Sequence, residues 1–519
     1  MQTTDAAPLR QPEQAGDSRF SLQRRFLRYS AALTTAYLCT VFFGLPLVFS
    51  NYYFNITETK QVYFLATSGL YLLALLFLRI ALPPDYGVAR AKNRPHPAAL
   101  ALALLFAVSL VGGLRSNYPN EVLLGENNRY QGLLTLLCYA LLAFTLSRRT
   151  IDPRWPERAF LLGACIVCLL GVLNHFSVDP LGFTENLRAS DRGRFLSTIG
   201  NADFYAAYVV LAFGVTLGFF LRAKKGAEGI AAALILAIAS FGALVAGSDS
   251  AALGLLTLAT LFPAALFSDS AALRRLPLGW GIFFCCAFAF GLLSRALPSS
   301  TYLSSFVTAL RLPFVSLPLA AASLALWFAL RRIDPKRLSR AKRPYVIGLL
   351  CALLLCALAL LLLNTLLRSL PLGGLERYLR FSESWGTDRG KIWSFVMRVY
   401  AELPTLQKLF GAGPGALFHA DAISPLFSDA ALDTAHNEYL QYLITSGALG
   451  LCCYLAALSL AIRAGFRRSV DEPAYRGLTL AAAACAVQAA VNIAQPMTTP
   501  LFFLLLCLLI SRRPEPRTA

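Results

Sequence analysis

Charge is what this chain has least of. Asp, Glu, Lys and Arg make up only 14% of its 519 residues, against about a quarter in soluble globular chains, and that scarcity excludes a soluble fold. Strict apolar/polar alternation is missing too. The apolar runs are continuous, which excludes a membrane β-barrel, whose strands alternate over about ten residues. No small-residue cleavage site follows the polar first 28 residues and their arginines, so no removable signal peptide is expected and the first apolar run stays as an anchor. Histidine occurs only four times, and no Cys/His spacing points to zinc. Cysteine is more frequent, with twelve copies, yet every one falls inside an apolar run. Even Cys165-Ile-Val-Cys168 lies in apolar helix, where thiols act as small hydrophobes rather than as a disulfide or redox pair.

What is there instead is hydrocarbon. Hydrophobic residues fill 57% of the chain, with a mean hydropathy of +0.58. Apolar runs lie at 31–49, 61–82, 97–114, 131–147, 158–176, 201–222, 228–247, 250–268, 278–298, 312–331, 345–368, 447–463, 476–495 and 498–511. Each is long enough, or nearly so, to cross a ~30 Å hydrocarbon core as a helix. The expectation is an all-α integral membrane protein of about fourteen transmembrane helices, with about twelve as the lower count. The net charge of +19 is mainly a topology signal. Lys and Arg concentrate in alternate loops such as RRIDPKRLSRAKR and RAGFRR, which the positive-inside rule places in the cytoplasm. Both termini then face the cytoplasm, and nucleic acid is not an expected partner. The organisation reads as a polar cytoplasmic N-terminus (1–30), a first bundle of about eleven spans (31–368), a long external loop (369–435), a final bundle of about three spans (436–512) and a cytoplasmic tail (513–519).

Three loops on the other face, 115–130, 177–200 and 369–435, exceed what a turn needs. The third holds Trp385, Trp393 and Phe395, and its TDRGKIWSFVMRVYAELP (387–404) reads as a helix capped by Thr387 or Asp388 and ended by Pro404. Arg389, Trp393, Val396 and Tyr400 share one face of it. FGAGPGALF (410–418) has no preceding strand, so it reads as a turn rather than a nucleotide loop. TAHNEYLQYLITSGALGL (434–451) then starts a helix capped by Asp433 or Thr434, with His436 in its first turn and Gly447 and Gly450 marking a bend or close approach. The three loops also carry Arg129, Arg192, Arg194 and Arg389 on a face usually poor in positive charge. As a set they favour an anionic ligand such as a diphosphate, which arginine binds bidentately, although local pairing with Glu185, Asp191, Glu383 or Asp388 competes.

In order along the chain, GRFLSTIGNADFYAAYVV, the external loop with Arg389 and Trp393 followed by LFGAGPGALF, and AHNEYLQYLITSGALGL resemble the O-antigen ligase and O-antigen polymerase family of bacterial membrane glycosyltransferases. GENNRYQGLL, with Arg129, is similar to an Arg-x-x-Gly element of many members. One departure stands out: AGSDSAALG places Asp249 where many members carry an arginine that binds the donor diphosphate. Either Arg192 or Arg194 then supplies that charge, or Asp249 positions a sugar hydroxyl or an arginine.

The resemblance implies a GT-C-type enzyme with one extracytoplasmic loop of short helices, at the outer face of the bacterial cytoplasmic membrane. It implies transfer of a glycan from a polyprenyl diphosphate to a hydroxyl of a lipid or glycan acceptor, without a metal or other cofactor. It casts His436 as base, Arg389 with Arg194 and Arg192 as diphosphate ligands, and Asn437, Glu438, Asn201, Asp249, Arg129 and Trp393 as supporting residues. The residue chemistry fits, since histidine titrates near pH 6.5 and arginine offsets the charge growing on a leaving diphosphate. A transporter or flippase for a lipid-linked sugar would be expected to place charges at mid-membrane, where these runs are almost uncharged. A non-catalytic scaffold of polysaccharide assembly is the remaining alternative, kept open by Asp249.

Overall fold

The computed structural model describes residues 12–82, 94–126, 128–417, 419 and 434–513, with the backbone alone for 12–21 and 377. Helices α1 (Pro12–Leu47), α2 (Ile56–Ala81) and α3 (Pro97–Gly113) precede a short α4 (Pro119–Leu124), α5 (Leu133–Leu146) and α6 (Arg154–His175). The one-turn α7 (Ala189–Arg192) and a small antiparallel pair, β1 (Phe195–Leu196) with β2 (Gly200–Asn201), lead into α8 (Ala202–Arg222). Next come α9 (Ala227–Leu244), α10 (Ser250–Leu266), α11 (Ser270–Ala296), the short α12 (Ser305–Leu310), α13 (Pro313–Arg332), α14 (Pro335–Arg340) and α15 (Lys342–Asn364). The long loop folds into α16 (Glu376–Leu379), α17 (Trp385–Glu402) and α18 (Thr405–Phe410). The chain closes with α19 (Glu438–Asp471), α20 (Ala474–Gln488) and α21 (Thr499–Leu509).

Among the described residues, ten helices are long and apolar enough to cross a membrane, and α3, α5, α10 and α21 are shorter apolar helices. The molecule is a polytopic helical membrane protein. Helices suit that solvent because each satisfies its own backbone in hydrocarbon. The ends are closed by polar side chains: Asn201 caps α8, Asp269 caps α11 and Asp334 caps α14. At the end of α1 the orphan carbonyls are buried, and Lys60 from α2 closes them. Its fully buried ammonium donates to the carbonyls of Leu45, Pro46 and Val48 at 2.8, 2.9 and 2.9 Å.

The core is centred on α8, whose apolar window is 89% buried. It packs on α6, α9, α10 and α20. The crossing with α20 is backbone on backbone: a Cβ at Gly218 would lie 2.3 Å from the Gly477 Cα. At the periphery the opposite holds. The α13 window is 6% buried, and the span running through α14 and α15 is 0% buried.

The glycine-rich turn interlocks with α19. Gly447 adopts φ +69° inside that helix and breaks it, and a Cβ there would meet the Leu409 carbonyl carbon at 2.3 Å. Into the break pass the Ala412 and Gly413 N–H groups, donating to the carbonyls of Ile444 and Thr445 at 2.9 and 3.1 Å. The turn reading and the bend at Gly447 both match what is found.

Two local expectations are corrected. The helix after the long loop starts at Glu438, and its cap is Asn437, whose Oδ1 accepts from the N–H groups of Tyr439 and Leu440 at 3.0 and 3.1 Å. His436 therefore precedes the helix, in a left-handed conformation with φ +46°, rather than lying in its first turn. Thr434 is not the cap, and Asp433 lies outside the described residues, with the rest of 420–433. In α17, Gly386, Thr387 and Asp388 all have positive φ, so regular helix begins only at Arg389. Pro404 is the cap position of α18. His436, expected in a first helical turn, and Thr387 and Asp388, expected as alternatives for a cap, all stand in tight, left-handed entries to helices.

Candidate functional site

At one end of the bundle the first turns of α8, α10 and α19 come together with the long loop. The motif GRFLSTIGN builds the corner that holds α8. Tyr53 donates to the Ser197 carbonyl at 2.8 Å, the Ser197 N–H to Asn174 at 2.8 Å, and the Thr198 hydroxyl to the Pro46 carbonyl at 2.7 Å. Asn201 accepts from the Asp203 N–H at 2.8 Å, so its side chain is taken up as a helix cap. Asp203, one turn in, is fixed through its carbonyl by Asn492 at 3.3 Å.

Arg389 faces Asp203, with Nη2 3.7 Å from its carboxylate, and Nη1 donates to the Gly386 carbonyl at 2.7 Å. The left-handed turn at 386–388 thus supplies an acceptor for the arginine it introduces. The side chain is only 15% exposed, and its Nε is buried without a hydrogen-bond partner. One helical turn on, the indole N–H of Trp393 is likewise buried and unpartnered, with the ring 5.2 Å from that of Trp385. Two donors on consecutive turns of one face are left unsatisfied among the described residues, an uncommon and costly arrangement for buried groups.

The same helix carries the His436 segment. Phe395, Val396 and Val399 of α17 form one apolar cluster with Ala416, Leu417, Ala435 and Ile444. The face predicted to hold Arg389, Trp393, Val396 and Tyr400 is the packed face, so Arg389 and half-buried His436 stand on segments joined by one apolar cluster.

Glu438 points inward from the first turn of α19 and accepts from the Tyr454 hydroxyl at 2.7 Å. It lies between two small cavities. One, of about 40 Å³, is also lined by Arg129, Gly415, Thr434 and Gln441. The other, of about 30 Å³, is lined by Ala207, Gln488, Asn492 and Thr498. Gln488 donates to the Ser250 hydroxyl at 3.2 Å, tying α20 to the start of α10. Arg129 also lies 5.8 Å from the Phe204 ring, beside Asp203.

Asp249 sits at the exposed start of α10 and accepts from the Phe306 N–H at 3.3 Å. It marks the mouth of a groove of about 1220 Å³. Leu253, Leu256 and Pro263 from α10, Trp280 and Phe283 from α11, and Leu319 from α13 line its length. Tyr378 and Leu379 also line it. Arg192 and Arg194 are exposed on their own loop, where Arg192 donates to the carbonyls of Leu187 and Glu185 at 3.2 and 3.4 Å.

The structure therefore brings together Arg389 and Trp393 with the His436 segment, and Glu438 with Arg129. Asn437 and Asn201 are caps, Asp249 stands at the groove mouth, and Arg192 bonds within its own loop. Sequence reasoning missed Asp203 as the partner of Arg389, and Gln488 and Asn492 as polar links between helices. Asp203 stands two residues after the motif asparagine, the one signal that pointed to it. It also passed over His419, whose ring stacks on Tyr118 at 3.4 Å between centroids and lies 3.7 Å from Glu121. Among the described residues no group of three or more His, Cys, Asp or Glu is arranged to hold a metal ion.

No curated protein matches the chain. Residues 300–455, which contain Arg389, Trp393 and the His436–Glu438 segment, match the family model described as O-antigen ligase.

Proposed function

We propose that this protein is a membrane glycosyltransferase that joins a polyprenyl-diphosphate-linked glycan to an acceptor hydroxyl at the outer face of the bacterial cytoplasmic membrane. On this reading all fourteen apolar helices cross the bilayer in a GT-C-like arrangement, both termini are cytoplasmic, and 369–435 is the extracytoplasmic catalytic loop. The single observation that carries the reading is Arg389: a nearly buried guanidinium with an unpartnered Nε, on a helix that packs against the segment carrying His436.

The chemistry follows from those positions. The acceptor oxygen attacks the anomeric carbon of the donor sugar, and the bond from that carbon to the diphosphate oxygen breaks. His436 takes the hydroxyl proton as base. The electron pair leaves on the diphosphate, whose growing charge Arg389 meets with a fork that matches phosphate oxygens. The prenyl chain lies along the apolar groove, whose volume is ample for a long lipid tail. Asp249 at the mouth would repel a diphosphate, so it suits a sugar hydroxyl, while exposed Arg194 and Arg192 add positive potential from the neighbouring loop. Asn437 and Asn201 support by fixing helix starts, and Arg129 and Trp393 line the approach. A flippase would need charge at mid-membrane. Lys60 stands near one end of α2, and three carbonyls already take its protons.

Purified protein reconstituted with a polyprenyl-diphosphate glycan and a hydroxyl acceptor tests the proposal. Glycosylated acceptor and free polyprenyl diphosphate should appear together, and His436→Ala should lower the rate by ~10²-fold or more. Turnover that survives His436→Ala unchanged would remove the base.

A further inference from the structure

The end of the bundle opposite the candidate site is closed by paired cations. Arg222 donates to buried Glu157, Arg476 to Asp269, and Arg468 to Glu472 and to Ser511 at 2.9 Å each. Each of these arginines bonds to its carboxylate or to a neighbouring segment, and so clasps this end of the bundle.

One stretch at this end is built differently. Between Arg331 and Arg343, in RRIDPKRLSRAKR, thirteen residues carry seven Lys or Arg and a single acid. All seven cations are exposed, and none forms an ion pair among the described residues. The acid, Asp334, is occupied in capping α14, where it accepts from the Lys336 N–H at 2.6 Å. Leu338 is the one buried side chain of that helix, and Arg274 of α11 donates to the Ile333 carbonyl at 2.6 Å, so the turn is fixed in place. Arg331 lies over the Trp327 ring at 4.6 Å. A half-buried Trp327 beside exposed Arg331 at a helix end marks the level of lipid headgroups.

Seven unneutralised cations held on one short turn repel one another unless counter-charge is supplied. The geometry fixes where that charge comes from. The flanking helices α13 and α15 are the least buried spans of the molecule, so lipid surrounds them, and the basic turn lies level with the headgroups of that lipid. We infer that α14 and its flanking turns form a binding surface for anionic phospholipid headgroups. The positive-inside bias alone would not distinguish this turn from the paired arginines beside it. What distinguishes it is density: seven exposed cations within thirteen residues are left unmatched, where Arg222, Arg468 and Arg476 are each paired and Lys224 and Lys225 stand as an isolated couple. The surface also anchors one wall of the apolar groove, since α13 lines it. The inference does not depend on the catalytic reading.

Full-length protein in nanodiscs of mixed phosphatidylglycerol and phosphatidylcholine, released and weighed by native mass spectrometry, reads the lipids that stay bound. Wild type should retain phosphatidylglycerol in preference. The variant Arg337→Gln/Arg340→Gln/Lys342→Gln/Arg343→Gln should lose about tenfold or more of that preference. The control Lys224→Gln/Lys225→Gln, exposed at the same end but in another loop, should keep it. Should the fourfold variant not fold, the wild-type preference must still fall steeply as salt is raised. Equal preference in wild type and variant, loss in the control alone, or a wild-type preference indifferent to salt would overturn the assignment. So would unchanged lipid retention alongside lost binding of soluble polyglutamate, which would assign the turn to an acidic protein partner.

Discussion

Arg389→Ala separates a binding role from a structural one, because the structure makes the two costs different in size. Among the described residues the side chain makes one hydrogen bond, to the Gly386 carbonyl at 2.7 Å, and one loose ion pair, 3.7 Å from a carboxylate that is 35% exposed. A pair that long and that wet contributes about 0–1 kcal/mol, and a carbonyl at a loop edge recovers water when its donor goes. Folding should lose about 1–2 kcal/mol in all. With donor bound, the same guanidinium would give a bidentate, charge-assisted contact to a diphosphate whose charge grows during transfer. Its loss should cost about 3–4 kcal/mol, or roughly 10²–10³ in rate. The assay is turnover of polyprenyl-diphosphate glycan at sub-saturating donor, run beside a thermal melt in the same detergent. A small shift in the melt with a rate lowered by two to three decades is the expected pair. Arg389→Lys, which keeps charge but loses the fork, should fall between. A rate for Arg389→Ala within about threefold of wild type would refute the argument. So would a melt that collapses as far as the rate, which would make Arg389 a structural residue.

Gly447→Ala forces a Cβ to 2.3 Å from the Leu409 carbonyl carbon at a left-handed φ. It should destabilise by about 3 kcal/mol or more, seen as aggregation on mild heating, and a wild-type melt would show that the break in α19 is not required. Lys60→Met fits the same space but takes the ammonium donor from the Leu45 and Val48 carbonyls, each worth about 1–3 kcal/mol where buried, while the Pro46 carbonyl keeps Thr198. A strong fall in unfolding temperature is expected, and none would mean that water replaces the ammonium. Burial pushes the Asp269 carboxyl up, but hydrogen bonds from Arg476 and the Ala272 N–H outweigh it and hold it below the usual carboxylate range. A depressed folded value stabilises above the unfolded pKa of about 3.9 and is lost as pH falls through the folded one. Asp269→Asn should therefore flatten the acid limb of a stability–pH curve, and an unchanged limb would show that the clasp adds nothing.

Most of the scaffold could be read directly because hydrocarbon demands so little variety. Each apolar run coincides with a helix, and the exposed, Leu-rich face of α15 is as plain in the sequence as in space. What could not be read was set by contacts distant along the chain. The pairing of Arg389 with Asp203 joins residues far apart in sequence. Nothing in the periodicity of either helix points to the other. Helix starts were misplaced for a local reason. His436, Thr387 and Asp388 take left-handed conformations that sequence rules reserve for glycine and asparagine, so spacing put His436 in a helical turn and gave no sign of the tight turn at the Thr387–Asp388 cap. The resemblance casts Asn437 only as a supporting residue, and its Oδ1 is held by two backbone N–H groups. A capping asparagine and an orienting asparagine look the same in a sequence.

That displacement bears on the site itself. A residue held one position outside a capped helix, with positive φ, has its side chain aimed by the cap rather than by a helical rotamer. Asn437 then acts on His436 through the backbone, by fixing where the helix begins, and the glycine turn at 411–413 locks the other side of the same segment onto the break at Gly447. Arg389 is placed the same way, by a left-handed turn to whose own Gly386 carbonyl it donates. Both proposed active residues thus stand at strained entries to helices that pack on each other through Phe395, Val396 and Ile444. Strain of about 1–3 kcal/mol per residue persists only where the surrounding packing over-determines it. The apolar cluster beneath the two residues is therefore what fixes their relative position, and loosening it should misplace base and clamp together.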